Sequence, residues 1–196
     1  GNSTFQPDLV WIKNRDATDE HKLVDAARGV TEQMHSNSTA VETTDANGLT
    51  AFTSSGFTLG TGAGGYNDNL ESFVAWQWLA GGGAGSSNEE GSINTTTTSV
   101  NTTAGISIST YTGTGATATV GHGLGVTPQM ILVKNTSETA AWRVYHEFMN
   151  PTAPEDYYAE LNTAGAATDQ AVTWNDTAPT STVFTIGSDT SVNEST

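Results

Sequence analysis

The hydrophobic pattern of this chain is that of short β-strands. Continuous apolar runs at residues 9–12 and 130–133 have the length of central strands buried on both faces. Residues 93–100 are rich in threonine and suit a half-exposed strand. The segments that alternate apolar and polar positions are residues 57–59, 73–78, 106–110 and 184–186. Turn residues separate these runs, and the best helical candidate, residues 20–28, would form only a turn or two, so we predict an all-β fold.

The same pattern occurs twice along the chain. Residues 7–14 read Pro-Asp-Leu-Val-Trp-Ile-Lys-Asn, and residues 128–135 read Pro-Gln-Met-Ile-Leu-Val-Lys-Asn. Further on, Gly-Phe-Thr-Leu-Gly at residues 56–60 matches Val-Phe-Thr-Ile-Gly at residues 183–187. The spacing between the copies changes by about one short loop. Repeats so far apart indicate domain-sized units in series, not the turns of a solenoid.

Neither copy contains every segment of the other. Only the first has the tryptophan-rich strand at residues 73–78, and only the second is preceded by strands such as residues 106–110. We therefore expect two tandem antiparallel β-sandwich modules, each incomplete. They are residues 1–80 without its opening strands and residues 91–196 without its closing strand, joined by a Gly/Ser linker at residues 81–90. A fragment of a longer polypeptide is the favoured explanation, and strand exchange with another copy is the alternative.

Charge and composition exclude several classes of partner. The 196 residues carry 6 Lys plus Arg against 21 Asp plus Glu, for a formal charge of −15. Such a surface repels nucleic acid and anionic membranes, so we expect neither as a partner. There is no cysteine for disulfides or thiolate chemistry, and no apolar run is long enough for insertion into a bilayer.

Several segments together resemble a known viral module. They are residues 8–15, 56–60 and 73–78, with Tyr-Thr-Gly-Thr-Gly at residues 111–115 and Gly-His-Gly-Leu-Gly at residues 121–125. The set resembles a repeated module in the tail-fibre and appendage proteins of marine, cyanophage-type tailed phages. That module is similar to concanavalin A-like (lectin/glucanase) or jelly-roll sandwiches.

The resemblance implies a virion structural protein on the surface of the particle: a tail fibre, capsid fibre or decoration. The expected partners are other virion proteins and copies of the chain itself, in a homo-oligomer with the trimer favoured. A host-surface glycan is a further candidate partner, which makes a carbohydrate-binding, lectin-like receptor-recognition module the first alternative. A microbial cell-surface adhesin is the second alternative.

The tryptophans are the first candidates for glycan contact, because their faces stack on sugar rings. Trp142 and Trp174 lie beside polar loops and are the predicted stacking residues, with packing as the alternative that we favour for each. Trp76 and Trp78 share one face of an alternating strand with a valine, and Trp11 lies in an apolar run. For these three we favour burial in the core, with an outward stacking platform at Trp76 and Trp78 as the alternative.

Oxygen-rich loops suggest one metal. Asn67, Asp68 and Asn69, in a glycine-rich loop, could supply ligands to Ca²⁺, and so could the acidic residues at 16, 19 and 20. Neither segment matches an EF-hand or a calcium-binding nonapeptide, and such clusters are also typical of turns. We expect no other cofactor.

No segment predicts an enzyme. A sandwich glucanase would carry Glu-x-Asp-x-x-Glu, or a pattern close to it, on one strand, and no strand-like segment here shows it. His122 stands between two glycines without a local nucleophile and carboxylate, which predicts a tight turn in which the imidazole caps a backbone group. We therefore expect no catalytic residues.

Overall fold

The computed structural model describes residues 4–61 and 64–195, and these residues are mostly β. They form several antiparallel sheets with few helices, as the sequence predicts at this coarse level. The strands are β1 (Leu9–Asn14), β2 (Lys22–Asp25), β3 (Glu32–His35), β4 (Thr43–Thr44), β5 (Leu49–Thr53), β6 (Gly56–Leu59), β7 (Phe73–Trp78), β8 (Thr97–Asn101), β9 (Ile106–Thr110), β10 (Ala118–Gly121), β11 (Met130–Val133), β12 (Arg143–His146), β13 (Tyr157–Glu160), β14 (Thr168–Asp169) and β15 (Val183–Ile186). The helices are α1 (Ala171–Trp174) and α2 (Thr190–Asn193), with a 3-10 turn at Pro154–Asp156.

The helix expected at residues 20–28 does not form. Its centre is strand β2, which pairs with β1 on one side and with β3 on the other. Two strand neighbours satisfy the backbone of this segment better than one or two isolated helical turns would.

Five strands form the largest sheet, in the order β4–β3–β2–β1–β7, and four form a second, in the order β11–β12–β13–β14. Three two-stranded sheets, β5–β6, β8–β9 and β10–β15, complete the described structure. All of the named strand pairs are antiparallel.

The two matching sequence segments begin matching sheets. From β1 to β4, and again from β11 to β14, each strand pairs with the next one along the chain. Asn14 and Asn135 end the two segments with the same turn, since each Oδ1 accepts hydrogen bonds from the N–H groups two and three residues on. In such a turn the asparagine side chain accepts the hydrogen bonds that a neighbouring strand would otherwise accept, so the strand ends there. The repeated asparagine thus has a structural reason.

The two sheets differ at one edge. Strand β1 pairs with β7 as well as with β2, whereas β11 pairs with β12 alone among the described residues. The strands that follow the two sheets also pair differently. Strand β6 pairs with β5, whereas the matching strand β15 pairs with β10.

Each half of the chain has its own hydrophobic cluster. We refer to residues 4–80 as the first half and to residues 91–195 as the second half. The first-half cluster is Val10, Ile12, Val24, Leu49 and Tyr66. The second-half cluster is Ile93, Ala118, Val120, Val133, Tyr145, Trp174, Phe184, Ile186 and Val192. Val10 and Ile12 on β1 occupy the same positions as Ile131 and Val133 on β11, so the matching strands turn the same face to their cores.

The segment predicted as a flexible linker, residues 81–90, is held against strand β8. Gly81 N–H donates to Ser99 Oγ at 2.9 Å, and that hydroxyl donates to Gly83 O at 2.6 Å. A Cβ at Gly85 would lie 2.1 Å from the carbonyl oxygen of Thr98. The glycines therefore serve close backbone approach here, and not only flexibility.

The two halves also touch through their loops. The side chain of Trp142 lies against the loop at residues 35–42 and donates from Nε1 to His35 O at 2.9 Å. Two backbone hydrogen bonds of 3.0 and 3.1 Å join the same loop to residues 136–140. Within the part of the chain that the structure describes, no helix has the length and hydropathy that a membrane span requires.

Candidate functional site

Strands β1 and β7 present a cluster of tryptophans on the outward face of the five-stranded sheet. Trp11 lies directly opposite Trp76 in the ladder, and Leu9 lies opposite Trp78. The ring centroids of Trp11 and Trp76 are 5.8 Å apart, with the planes tilted by 58°. Trp76 remains 47% exposed, so its ring is open to an incoming molecule. We call Trp11, Trp76 and Trp78 the tryptophan face.

The alternation of β7 explains this orientation. Phe73 and Ala75 pack against the first-half core, so the residues between them point the other way. The prediction that Trp76 and Trp78 belong to the core is therefore wrong, and the outward alternative is the one observed. Trp11, also expected in the core, is only half-buried and lines the same outward cleft.

Two polar side chains border the tryptophan face. Lys13 and His21 line the cleft with the three indoles, and its volume is about 320 Å³. Lys13 Nζ is held by the carbonyl oxygens of Ala17 and Asp19, at 2.9 and 3.2 Å. Burial lowers the pKa of His21, and the nearby charge of Lys13 lowers it further, so the imidazole is neutral at pH 7.

This arrangement suits a ring that has one apolar face and a polar rim. Aromatic side chains bind such rings by stacking, while a few placed polar groups fix the orientation. A pyranose has this character, with axial C–H groups on one face and hydroxyls around the edge. A neutral imidazole can both donate and accept a hydrogen bond, and the ammonium of Lys13 can donate.

The predicted stacking residues, Trp142 and Trp174, lie elsewhere and are buried. Their exposed fractions are 3% and 2%. Trp142 packs between the halves of the chain, while Trp174 belongs to the second-half core and donates from Nε1 to Tyr157 O at 3.1 Å. Neither indole has a ring face open to a ligand, so the structure makes both packing residues. The sequence position beside polar loops does not reveal this burial, because the Trp142 ring contacts a distant loop at His35 and the Trp174 ring packs in the second-half core.

The predicted metal loop contributes one residue to an acidic cluster. Oxygens of Asp19, Asp68 and Glu71 all lie within 4.8 Å of one another. The fold thus joins the two acidic segments that the sequence suggests separately, whereas Asn67 and Asn69 are exposed.

The cluster already has internal donors. Asn14 Nδ2 donates to Asp19 Oδ2 at 2.7 Å and also to Glu71. Gly65 N–H donates to Asp68 Oδ2 at 2.8 Å. These bonds satisfy part of the negative charge without a cation, and Ca²⁺ binding by Asn67, Asp68 and Asn69 stays a prediction from the sequence.

His122 has the structural role that its glycine neighbours predict. It is 4% exposed, its Nδ1 accepts the Leu124 N–H at 3.1 Å, and its Nε2 lies 3.2 Å from Thr180 O. Acceptance at Nδ1 leaves the proton on Nε2, which donates to the carbonyl. Burial lowers the pKa of His122, against smaller opposing effects of the Thr180 carbonyl and of Glu90. Both nitrogens therefore serve the backbone.

Comparison with known protein families gives a match over nearly the whole chain. The model of a family described as a domain of unknown function, DUF7483, matches residues 2–196. No curated protein and no solved structure matches the chain.

Proposed function

We propose that this chain, a member of the DUF7483 family, is a structural, non-enzymatic protein on the surface of a virus particle. The proposal rests on the chain's own sequence and geometry. In this proposal it forms part of a tail fibre, capsid fibre or decoration, built from concanavalin A-like β-sandwich modules in series. The observation that carries the proposal is that one ladder, β1–β4, occurs again as β11–β14, and that each has its own hydrophobic cluster.

Serial copies of one rigid unit extend a protein in space without adding new chemistry, which is what a fibre or appendage requires. The segment at residues 81–90 supports this role, because Gly82 N–H donates to Asp8 Oδ2 in the first half while Gly81 N–H donates to Ser99 Oγ in the second. Contacts with both halves limit the bending between them. The resemblance of residues 8–15 and 73–78 to phage appendage modules supports the same assignment.

The test is to locate the protein on particles. Antibodies raised against the purified chain should label virus particles from the source at regular surface positions in electron micrographs. The control is antibody that has first been adsorbed on the purified chain, which should leave the particles unlabelled. Label that is confined to host cells or to free protein, with particles bare, would refute the proposal. Sedimentation equilibrium of the purified chain tests the expected trimer separately.

Carbohydrate binding is the second candidate function, and the tryptophan face is the observation that favours it. A half-exposed Trp76 next to Trp11 and Trp78, with Lys13 and His21 at the border, is a platform for a sugar ring. The net charge of −15 favours neutral or cationic glycans over sulfated or sialylated ones.

A glycan array followed by titration calorimetry tests this function. Removing one stacking ring costs about 0.5–1.5 kcal/mol, so Trp76→Ala should weaken binding by up to about tenfold. The matched control is Phe148→Ala, which removes an aromatic ring that is 81% exposed and does not line the cleft. An array without any bound glycan, or equal losses in both variants, would exclude this face as the binding site.

A further inference from the structure

Within residues 4–61 and 64–195, strand β11 has a row of backbone groups without partners on its outer edge. Glu147 N–H donates to Gln129 O at 2.9 Å, and Met130 lies opposite His146 in the ladder. Bonded and non-bonded positions alternate in an antiparallel pair, so residues 129, 131 and 133 bond to β12. The N–H and C=O groups of Met130 and Leu132 therefore point away from β12, where no strand lies among the described residues.

The side chains on this edge are apolar. Met130 is 50% exposed and Leu132 is 43% exposed, on the face opposite to Ile131 and Val133, which contact the second-half core. Proteins usually protect an open edge with charges, proline or a bulge, because an apolar edge invites another strand. None of those devices occurs within Met130–Val133.

The first half shows which kind of strand fills this position. The matching strand β1 is covered on the corresponding edge by β7, over the six pairs from Leu9–Trp78 to Asn14–Phe73. In that ladder Trp11 lies opposite Trp76 on the outward face, and Ile12 lies opposite Ala75 on the core face. The aligned residues on β11 are Leu132 and Val133.

We infer that β11 binds an antiparallel strand of the β7 type, supplied by another unit of the same family. The bound strand places a large aromatic residue opposite Leu132 on the outward face and a small residue opposite Val133 on the core face. Backbone hydrogen bonds to Met130 and Leu132 provide affinity, while the side chains that point alternately outward and toward the core provide register. This inference rests on the repeated ladder and holds whether or not the protein belongs to a virus particle.

The first measurement uses the intact chain and a labelled synthetic peptide with the sequence of residues 71–80. Fluorescence anisotropy should show saturable binding with a Kd on the order of micromolar to tens of micromolar. A peptide of the same composition in which the alternation is scrambled is the control. Equal binding of both peptides, or binding of neither, would overturn the inference.

Substitutions at Leu132 separate the backbone contribution from that of the side chain. Leu132→Pro removes an N–H that points to the open edge and leaves the bonds to β12 in place, so binding should fall at least tenfold. The matched variant Leu132→Ala keeps the N–H and should lose only a few-fold. Circular dichroism verifies folding, and Leu132→Lys, which keeps the backbone donor but adds an edge charge, replaces the proline variant if that one unfolds. Unchanged binding in a folded Leu132→Pro or Leu132→Lys variant would contradict the inference.

Disulfide trapping identifies the edge that is occupied, and the chain has no cysteine to interfere. A peptide with cysteine in place of its Trp76 should cross-link to Leu132→Cys, because directly opposed strand residues have the Cα separation that a disulfide needs. The control is Trp11→Cys, which reacts only if the peptide displaces β7 from β1. Cross-linking at Trp11→Cys alone, or peptide-free dimers of Leu132→Cys, in which the β11 edges of two copies pair with each other instead of with a β7-type strand, would refute the proposed occupant.

Discussion

Trp142 offers the sharpest test of the structure, because its sequence position suggests contact with a ligand, whereas the structure places its ring in packing. Its indole is 3% exposed, and its Nε1 donates to His35 O across the contact between the two halves. Truncation of a buried aromatic ring costs about 3–5 kcal/mol, so we expect Trp142→Ala to lower the free energy of unfolding by that amount. A chain of this size has about 5–15 kcal/mol in total, which makes the loss a large fraction.

A series of variants resolves the contributions. Trp142→Phe keeps most of the apolar area but leaves the His35 carbonyl without its donor, at a cost of about 1–2 kcal/mol. Trp76→Ala, at a half-exposed ring on the outward face, should cost less than Trp142→Ala. Urea unfolding followed by far-ultraviolet circular dichroism measures all three. If Trp142→Ala changed the free energy of unfolding by less than about 1 kcal/mol and abolished binding of a glycan, the packing role would be refuted and the stacking role restored.

Three further expectations follow from buried groups and close contacts. Burial lowers the folded-state pKa of His122, so its contribution to stability is present above the unfolded value of 6.5 and is lost as pH falls through the folded value. In urea unfolding from pH 7.5 to 5, the free energy of unfolding should therefore decline less steeply for His122→Gln than for the unaltered protein. Arg143→Met leaves the carboxylate of Asp189, 8% exposed and 2.9 Å from Nε, without its cation, and should cost about 3–5 kcal/mol in thermal unfolding. Gly85→Ala should destabilise the protein more than Gly82→Ala. Both glycines have positive φ, but only a Cβ added at Gly85 would meet a backbone atom. Gly82→Ala should cost about 1–2 kcal/mol in urea unfolding.

The repeated strands could be predicted because their signals are local. An apolar run that ends in Lys-Asn predicts both a strand and its stop, and Asn14 and Asn135 do form the same turn. The expected burial on both faces is wrong for β11, which lies at the edge of its sheet with Met130 and Leu132 exposed. The centre of residues 20–28 was assigned wrongly for the opposite reason. Its pattern favours a short helix by itself, whereas β1 and β3 lie on either side of it only in the folded chain. Tertiary pairing overrides weak helical propensity in such a segment.

The orientation of β7 shows a second limit of pattern reasoning. Val74, Trp76 and Trp78 form the more apolar face of the strand, which favours burial, yet this is the outward face. The first-half core already contains Val10 and Ile12 from β1, and β7 fills it with Phe73 and Ala75. The space available beneath a strand decides which face turns inward, and that space depends on the neighbouring elements.

The acidic cluster depends on the same non-local pairing. Asp19 lies five residues after the end of β1, and Glu71 lies two residues before the start of β7. They meet because Asn14 lies opposite Phe73 in the antiparallel ladder, which brings the end of one strand to the start of the other. Sequence analysis could suggest the oxygen-rich segments, but not that the fold would place Asp68 with Asp19 and Glu71 instead of with its own neighbours.

Strands β1 and β11 have similar sequences, but their outward side chains differ in exposure. The two strands match residue by residue and turn the same face to their cores, yet the outward residue is a half-buried Trp11 in one and an exposed Leu132 in the other. Trp11 has a cross-strand partner on β7, Trp76, that lies far along the chain, whereas Leu132 pairs with Val144 on β12 and has no partner on its other side among the described residues. Exposure here is therefore a property of the neighbouring strand and not of the strand itself, which is why a strand of the β7 type should change the environment of Leu132 while leaving that of Val133 largely as it is.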